Sequence, residues 1–281
     1  MRLAFTKMHG LGNDFMVIDG VTQEAHITPK QVRQWSDRHF GIGFDQLLLV
    51  EPPESPDVDF NYRIFNADGD EVSQCGNGAR CFAAFVARQR LINKTDIHVA
   101  TKAGRLVLTL LEPDRVRVNM GVPELVAERV PFSGLGHCPE QSVLLHDGRE
   151  VPLTAVSMGN PHAVLLLDAP PTDAVVAELG PILEQHPSFP ERANVGFLYV
   201  EQPDQAQLRV FERGVGETLA CGSGACAAVV AGRLRGVLNE TVRLTLLGGP
   251  IDIHWAGADR PVLMTGPATF VYDGFIELEQ Q

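Results

Sequence analysis

The alternation of apolar and polar positions predicts short strands and two strongly apolar helices. Apolar runs at residues 15–18 and 163–167 each follow a Gly-Asn turn and are typical of strands. Residues 81–87 and 225–231 are rich in alanine and apolar on all sides, which is typical of a buried helix. Hairpin-like strands follow each helix, at 97–100, 105–111 and 116–120, and at 242–247 and 251–255. A curved, mainly antiparallel sheet or barrel around a central helix fits both periodicities, so we predict an α+β fold.

One phrase occurs twice, and it predicts a duplicated domain. Glu71-Val72-Ser73-Gln74-Cys75-Gly76-Asn77-Gly78-Ala79 returns 146 positions later as Glu217-Thr218-Leu219-Ala220-Cys221-Gly222-Ser223-Gly224-Ala225. Four further blocks match at offsets between 145 and 147: 62–66 with 208–212, 93–95 with 239–241, 120–121 with 265–266, and 12–15 with 159–162. We therefore predict two pseudo-symmetric domains. The first is 1–120 plus 268–281 and carries Cys75, and the second is 121–267 and carries Cys221.

Composition narrows the classes of function. The 281 residues include 44% hydrophobic and 21% charged residues, typical of globular proteins, and the formal charge is −12. An acidic chain has no broad basic field for nucleic acid or an anionic membrane surface. No apolar run approaches the roughly 20 residues that cross a bilayer, and the first residues do not resemble a secretory signal. Five cysteines, an odd number, favour reduced thiols, so we expect a cytoplasmic protein.

The Cys phrases have the chemistry of an acid–base pair. Each cysteine precedes Gly-X-Gly at the start of a predicted helix, where free amides and the helix dipole stabilise a thiolate and bind carboxylates. We expect this position to lower a thiol pKa from about 8.5 into the range of roughly 3.5 to 7.5. Two equivalent thiols on opposite sides of one cleft would suit removal of a proton from one face of a carbon and its return on the other.

Other interpretations of the cysteines stay open. Cys81, Cys138 and Cys226 are interpreted as small buried hydrophobes. Cys75 and Cys221 facing each other could also form a redox disulfide. Neither loop has the Cys-x-x-Cys or Cys/His spacing of a zinc site. Acid–base thiols are favoured over redox chemistry, and redox chemistry over a metal.

Polar residues at matched positions extend the candidate site. Asn13 corresponds to Asn160, and Asn66 to Glu212, at the ends of matched strands. Turn conformation alone explains many such residues, yet their recurrence in both halves suggests the lining of one shared cleft. His162 and Glu212 have no ionisable counterpart in the first half and are candidates for setting which thiol is deprotonated. Arg213 is a candidate for binding a carboxylate through two hydrogen bonds, the alternative being a surface salt bridge.

Several phrases together resemble the diaminopimelate epimerase family. They are Phe5-Thr6-Lys7-Met8-His9-Gly10-Leu11-Gly12-Asn13-Asp14-Phe15, Phe65-Asn66-Ala67-Asp68-Gly69, Cys75-Gly76-Asn77-Gly78-Ala79-Arg80-Cys81, Gly159-Asn160-Pro161-His162-Ala163 and Glu212-Arg213-Gly214-Val215-Gly216-Glu217-Thr218. The resemblance spans nearly the whole chain. It implies the epimerase fold and the conversion of LL-2,6-diaminopimelate to the meso form, in lysine and peptidoglycan-precursor synthesis. It also implies no cofactor and no metal.

The resemblance also implies roles for individual residues. Cys75 and Cys221 would be thiolate base and thiol acid, exchanging roles with the direction of reaction, with His162 and Glu212 tuning them. Tyr272 matches a position associated with a homodimer. Matches to the family's substrate contacts are Asn13, Gln46, Asn66, Gly76, Asn77, Asn160, Asn194, Glu212, Arg213, Gly222 and Ser223. The chain departs from the family at Phe211, Ser223 and Gly196, where Trp, Thr and Asn are common. A proline-racemase relative of the same fold is the nearest alternative, and a thiol redox or binding protein is the alternative from another class.

Overall fold

The chain divides into two compact units. The structure is a computed structural model that describes residues 2–72, 76–112, 114–134, 136 and 139–278. The first unit comprises Met1–Val118 and Gly266–Gln281, and the second comprises Asn119–Thr265. These divisions lie two residues from the domain boundaries drawn from the sequence.

The strands and the two apolar helices predicted from the sequence are present, with further helices and strands between them. The chain begins with β1 (Arg2–Gly10), β2 (Asn13–Asp19), α1 (Pro29–Ser36), β3 (Gln46–Glu51), β4 (Phe60–Asn66), β5 (Glu71–Val72), α2 (Gly76–Arg88), β6 (Asp96–Thr101), β7 (Gly104–Glu112) and β8 (Arg115–Asn119). It continues with β9 (Gln141–Leu144), β10 (Glu150–Ser157), β11 (Pro161–Leu167), α3 (Asp173–Glu184), β12 (Asn194–Gln202), β13 (Gln205–Glu212), β14 (Gly216–Thr218), α4 (Gly222–Leu234), β15 (Thr241–Leu246), β16 (Gly249–His254), β17 (Leu263–Pro267) and β18 (Thr269–Glu277).

Both units repeat one order of strand pairing. In the first unit β1–β2, β3–β4, β4–β5, β6–β7 and β7–β8 are antiparallel, whereas β2–β3 and β4–β6 are parallel. The same sequence of antiparallel and parallel pairs joins β10 through β17. The outer partner of β1 is β18, and that of β10 is β9. The mainly antiparallel α+β fold expected from the sequence is confirmed.

The repetition holds at single-residue register. Phe65 pairs with Glu71 in the β4–β5 hairpin, and Phe211 pairs with Glu217 in the β13–β14 hairpin. Both partners are displaced by the same 146 positions that separate the two Cys phrases. Each Cys phrase therefore leaves its sheet from an equivalent hairpin.

The two apolar helices are buried, as their composition predicts. On α4 every residue from Gly224 to Gly232 is buried, and the helix packs against β10, β11, β12, β13 and β16 of its own unit. On α2 the buried face runs from Asn77 to Val86 and packs against β1, β2, β3 and β7. Arg80, the charged exception, is fully buried and donates from Nε to the main-chain oxygen of Pro267 at 3.0 Å. Small side chains allow the strands to surround each helix closely.

The apolar pattern gives no comparable signal for α1 and α3, because each buries only a few side chains. Both are crossover helices, which the parallel pairs β2–β3 and β11–β12 require. Thr28 caps α1 through a reciprocal bond with Gln31, and Thr172 caps α3 by accepting from the Val175 amide at 3.3 Å. The sequence features that mark the start of α1 and α3 are therefore these polar N-cap residues, not an apolar pattern.

A close approach of α3 to β13 requires a residue without a side chain. A Cβ atom added to Gly180 would lie 2.7 Å from Cγ of Phe211, the residue that precedes Glu212. Phe211 cannot recede freely, because it packs against the hydrophobic core of the second unit. Gly180 therefore fixes how near the helix lies to the end of β13.

We expect Gly180→Ala to lower the free energy of unfolding by about 1–3 kcal/mol, as overpacking of a filled core does, despite the higher helix propensity of alanine. Gly196→Ala is the matched control, since its Cβ would meet Leu208 at an ordinary 3.5 Å. Urea denaturation of both variants measures the difference. A Gly180→Ala protein as stable as wild type would contradict the close approach.

Candidate active site

The candidate site residues form two sets, one in each unit. Cys75 lies outside the described residues, as does Cys138. Cys81 and Cys226 are fully buried, which confirms their interpretation as small core residues. Of the two candidate catalytic thiols, that of Cys221 lies within the described residues.

In the second unit the strand directions bring the predicted residues to one edge of the sheet. Asn160 immediately precedes β11, and Asn194 begins β12, which runs parallel to β11. Glu212 ends β13, which runs antiparallel to β12. The starts of β11 and β12 and the end of β13 therefore share an edge. The hairpin that follows Glu212 leads to the N-terminus of α4.

Cys221 occupies the N-cap position of α4 and is 5% exposed. Its Sγ donates to Oε2 of Glu212 at 3.1 Å and lies 3.6 Å from Oγ of Ser223. The other oxygen of Glu212, Oε1, accepts from Oγ1 of Thr218 at 2.6 Å. The carboxylate of Glu212 thus accepts one hydrogen bond from the Thr218 hydroxyl and one from the Cys221 thiol.

The thiol of Cys221 is held in its protonated form. Burial raises its pKa well above the ordinary value, and the negative charge of Glu212 and the hydrogen bond to Glu212 raise it further. Hydrogen bonds from Ser223 and from the amide of Gly224 oppose this shift but do not outweigh it. The expectation of an acidic thiol at this helix N-terminus is therefore wrong for Cys221. Desolvation and a neighbouring carboxylate outweigh the helix amides.

His162 is a neutral ring in the folded protein. It is 1% exposed, and its Nε2 is 3.0 Å from Oδ1 of Asn160. Burial lowers its pKa to about 3, with a further contribution from the positive charge of Arg213. Of the two residues expected to tune the thiols, Glu212 bonds to Cys221 directly, whereas the hydrogen bond of His162 goes to Asn160.

Arg213 is held by its main chain and by one guanidinium bond. Its amide donates to Oδ1 of Asn194 at 2.9 Å, and Nη1 donates to the main-chain oxygen of Glu191 at 2.9 Å. The next amide, that of Gly214, donates to the buried carboxylate of Glu184 at 3.1 Å. The contact recorded for its guanidinium is with a main-chain carbonyl rather than a carboxylate, and the residue is exposed.

In the first unit the corresponding residues occupy the same kind of edge. Asn13 begins β2, Gln46 begins β3, Asn66 ends β4, and Asn77 lies in the first turn of α2. Nδ2 of Asn77 is 3.4 Å from Oδ1 of Asn13, and Nε2 of Gln46 donates to Oδ1 of Asn66 at 2.8 Å. Oε1 of Gln46 is buried and has no hydrogen-bond partner among the described residues.

An ion network supports Asn13. Nδ2 of Asn13 donates to Asp45 at 2.9 Å, and Arg38 bridges Asp45 and Asp14 with contacts of 2.8–3.0 Å. Lys7 donates to Asp14 at 2.6 Å. Burial opposes ionisation of Asp14, but the hydrogen bonds and charges of Arg38 and Lys7 outweigh it and lower the pKa of this carboxyl below its usual range.

An equivalent ion pair joins the two strands of the β4–β5 hairpin and of the β13–β14 hairpin, each of which leads into a Cys phrase; we call these the Cys hairpins. Arg63 of β4 contacts Glu71 of β5 at 3.0 Å, and Arg209 of β13 contacts Glu217 of β14 at 2.6 Å. Both pairs use two guanidinium nitrogens and both carboxylate oxygens. All four residues lie in the repeated blocks, so a comparison of the two halves of the sequence could have identified both pairs. No comparable sequence signal marks Asp45 or Glu184.

The remaining predicted residues have simple positions. Gly222 is buried in the first turn of α4 beside Ser223, and Gly76 begins α2. Tyr272 is exposed on β18, with its ring edge-on to Phe5 at 6.0 Å between centroids.

Among the described residues, no group of three or more His, Cys, Asp or Glu side chains is arranged to hold a metal ion. No helix in the described part of the chain has the length and hydropathy to span a membrane.

Solved structures share the fold. A hydroxyproline epimerase from Agrobacterium vitis, solved with bound trans-4-hydroxy-L-proline, aligns with a TM-score of 0.71 at 15% identity, covering 99% of this chain and 93% of that chain. A methylitaconate-delta-isomerase aligns with a TM-score of 0.67 at 13% identity, covering 98% and 95%. The chain therefore has the fold of these epimerase and isomerase structures.

Sequence similarity then gives the family. The family profile described as diaminopimelate epimerase matches residues 5–126 and 154–271. Diaminopimelate epimerases from Pseudomonas syringae pv. tomato and Stutzerimonas stutzeri are 57% and 56% identical over 278 residues, 99% of this chain and 100% of each relative. The chain belongs to the diaminopimelate epimerase family and is an isomerase.

The buried neutral histidine gives a stability prediction. Because the folded pKa of His162 lies below its unfolded value of about 6.5, the unfolded chain binds the extra proton, and stability falls as the pH drops from about 6.5 towards 3. Between pH 6.5 and 5 this group alone costs about 2 kcal/mol. In His162→Gln, the loss of unfolding free energy between pH 7 and 5 should be smaller by about that amount in urea titrations. Equal losses in both proteins would contradict it.

Proposed function

We propose that this protein converts LL-2,6-diaminopimelate to the meso form by inverting one α-carbon, with two cysteines as acid and base. The observation that carries the proposal is the hydrogen bond from the Cys221 thiol to Glu212 at the N-terminus of α4, in a chain of this family. We place the reaction in lysine and peptidoglycan-precursor synthesis. The need for reduced thiols favours the cytoplasm.

In one direction Cys75 is the thiolate base and Cys221 the thiol acid. Cys75 takes the α-proton, and the electron pair of the broken C–H bond stays on the α-carbon. Cys221 then delivers its proton to the opposite face of that carbon and becomes a thiolate. The raised pKa of Cys221 supports its role as the proton donor in the free enzyme. In the reverse direction the roles exchange.

A thiolate alone is too weak a base for the α-hydrogen of an amino acid. The developing negative charge must be stabilised, and amides at a helix N-terminus do so when they face the α-carboxylate. Gly222 and Ser223 on α4, and Gly76 and Asn77 on α2, are the candidates for these donors. Because Gly222 is buried, water competes weakly with the bound carboxylate.

The remaining polar residues would recognise the substrate's ammonium and carboxylate groups. The exposed guanidinium of Arg213 has donors for a carboxylate. The buried Oε1 of Gln46, without a described partner, is an acceptor available to a substrate donor. Asn13 and Asn66 are already oriented by Asp45 and Gln46, and Asn160 and Asn194 by contacts within the second unit.

We also propose a homodimer formed through β18. Val271, Tyr272 and Phe275 are large, exposed residues of this strand, and exposed apolar side chains of this kind are typical of an interface. Tyr272 is the residue that the family resemblance associates with dimer formation.

Cys75→Ala and Cys221→Ala should each lower the epimerisation rate of LL-diaminopimelate by about 10²–10⁴-fold or more, the usual contribution of a positioned acid or base. The measurement is solvent deuterium entering the inverted product in D₂O, by mass spectrometry with no cofactor added. Cys226→Ala, which removes a buried thiol from the same helix, should keep activity. Full activity in either of the first two variants would contradict the two-base mechanism. L-Proline in the same assay tests the proline-racemase alternative.

A charge at Tyr272 should weaken the dimer. We expect Tyr272→Asp to shift the protein to monomer at micromolar concentration in light scattering, because an unpaired carboxylate would be desolvated in the interface. Phe40→Asp is the control, since Phe40 is an exposed aromatic elsewhere in the first unit. A Tyr272→Asp protein that stays dimeric, or a monomeric wild type, would refute this interface.

A further inference from the structure

The carboxylate of Glu212 is held from two sides by donors of different kinds. Oε1 accepts from the hydroxyl of Thr218 at 2.6 Å, and Oε2 accepts from the thiol of Cys221 at 3.1 Å. A hydrogen bond to a carboxylate at 2.6 Å is in the short range typical of charge-assisted bonds. The two contacts together fix which oxygen of Glu212 faces the sulfur.

We propose that Thr218 is a positioning residue for the reaction: its hydroxyl holds the Glu212 carboxylate so that Oε2 faces the Cys221 thiol. This inference rests on the proposed function for its consequence in catalysis, but the contact that it describes does not. Thr218 acts through Glu212 and touches no reacting atom itself.

The first unit shows what this hairpin looks like without a carboxylate. The residues equivalent to Glu212 and Thr218 at the offset of 146 are Asn66 and Val72. Val72 pairs with Ile64 as Thr218 pairs with Val210, so the strand pairing needs no hydroxyl at this position. Asn66 is oriented instead by Gln46, at 2.8 Å. Within this chain, the hairpin with Glu212 at the end of its first strand has the hydroxyl of Thr218 on its second strand. The hairpin with Asn66 at the end of its first strand has Val72 at the equivalent position.

Loss of the hydroxyl has a definite physical consequence. A glutamate side chain has several rotatable bonds, and the hydroxyl of Thr218 restrains the outermost of them. Without that donor, the carboxylate turns towards other donors or water, and its contact with the thiol weakens. The charge of Glu212 and its bond to the thiol both raise the pKa of Cys221, so that pKa should fall towards its ordinary value. The thiol then becomes more reactive while the enzyme becomes slower.

Thr218→Val tests the inference, because it removes the hydroxyl, keeps the branched shape and copies the residue of the first unit. The alkylation rate of Cys221 by iodoacetamide is measured from pH 6 to 11 by peptide mass spectrometry. We expect the midpoint of the profile to move down by about one pH unit, the scale of one hydrogen bond to a charged group. We expect kcat for epimerisation to fall about tenfold, with KM changed less than threefold, because Glu212 is the one expected substrate contact that the substitution disturbs.

Thr218→Ser keeps a hydroxyl and should restore both the midpoint and kcat to near the wild-type values. Cys226, fully buried five positions further along α4, is the internal control for loosening of the helix. A general loosening would raise alkylation by a similar factor at every pH and make Cys226 reactive as well.

Three results would overturn the inference: an unchanged midpoint in Thr218→Val, a pH-independent rise that includes Cys226, or a serine variant that behaves like the valine variant. If wild type does not epimerise diaminopimelate but the midpoint still shifts as stated, the proposed function fails and the positioning of Glu212 by Thr218 stands. If wild type is active and the midpoint does not move, the proposed function stands and this inference fails.

Discussion

The enclosure of an alanine-rich helix by the strands of its own unit is the constraint on which the rest of the structure depends. α4 buries every residue from Gly224 to Gly232, so its axis has little freedom to tilt or slide. Its N-terminus is thereby fixed at the edge of the sheet where β13 ends. Cys221 can meet the side chain of Glu212 because both the helix and the strand are held by burial. The chemistry is thus carried by short polar segments whose positions are set by apolar packing.

Comparison of the two halves separates what the fold needs from what the chemistry needs. The order of strand pairing and the Arg63–Glu71 and Arg209–Glu217 pairs occur in both units, so they belong to the construction of a Cys hairpin. Asn66 against Glu212, and Val72 against Thr218, differ between units at equivalent register. Each unit also has its own charged support: the Lys7–Asp14–Arg38 network in the first, and the buried carboxylate of Glu184, which accepts from the Gly214 amide, in the second.

Much of this architecture could be predicted from the sequence, since periodicity and repetition report directly on burial and duplication. The two buried helices, the strands around them and the Cys221–Glu212 neighbourhood follow from residues 225–231 and from the offset of 146. Two things could not be predicted. α1 and α3 begin with polar caps and bury few residues, and the raised pKa of Cys221 depends on how completely the site excludes water. Desolvation is a property of the packed protein, and no spacing of residues along the chain encodes its magnitude.

The pairing of β1 with β18 has a consequence for the order in which the chain can fold. β1 is synthesised before its partner β18, and paired residues lie 260 to 275 positions apart in the sequence (His9 pairs with Thr269, and Arg2 with Glu277). The first unit therefore waits, with one edge of β1 unpaired, until β18 has been synthesised. The second unit is continuous in sequence from Asn119 to Thr265 and needs no such late segment. The second unit can therefore complete its fold before the first unit does, which reverses the usual N-to-C order of domain folding during translation.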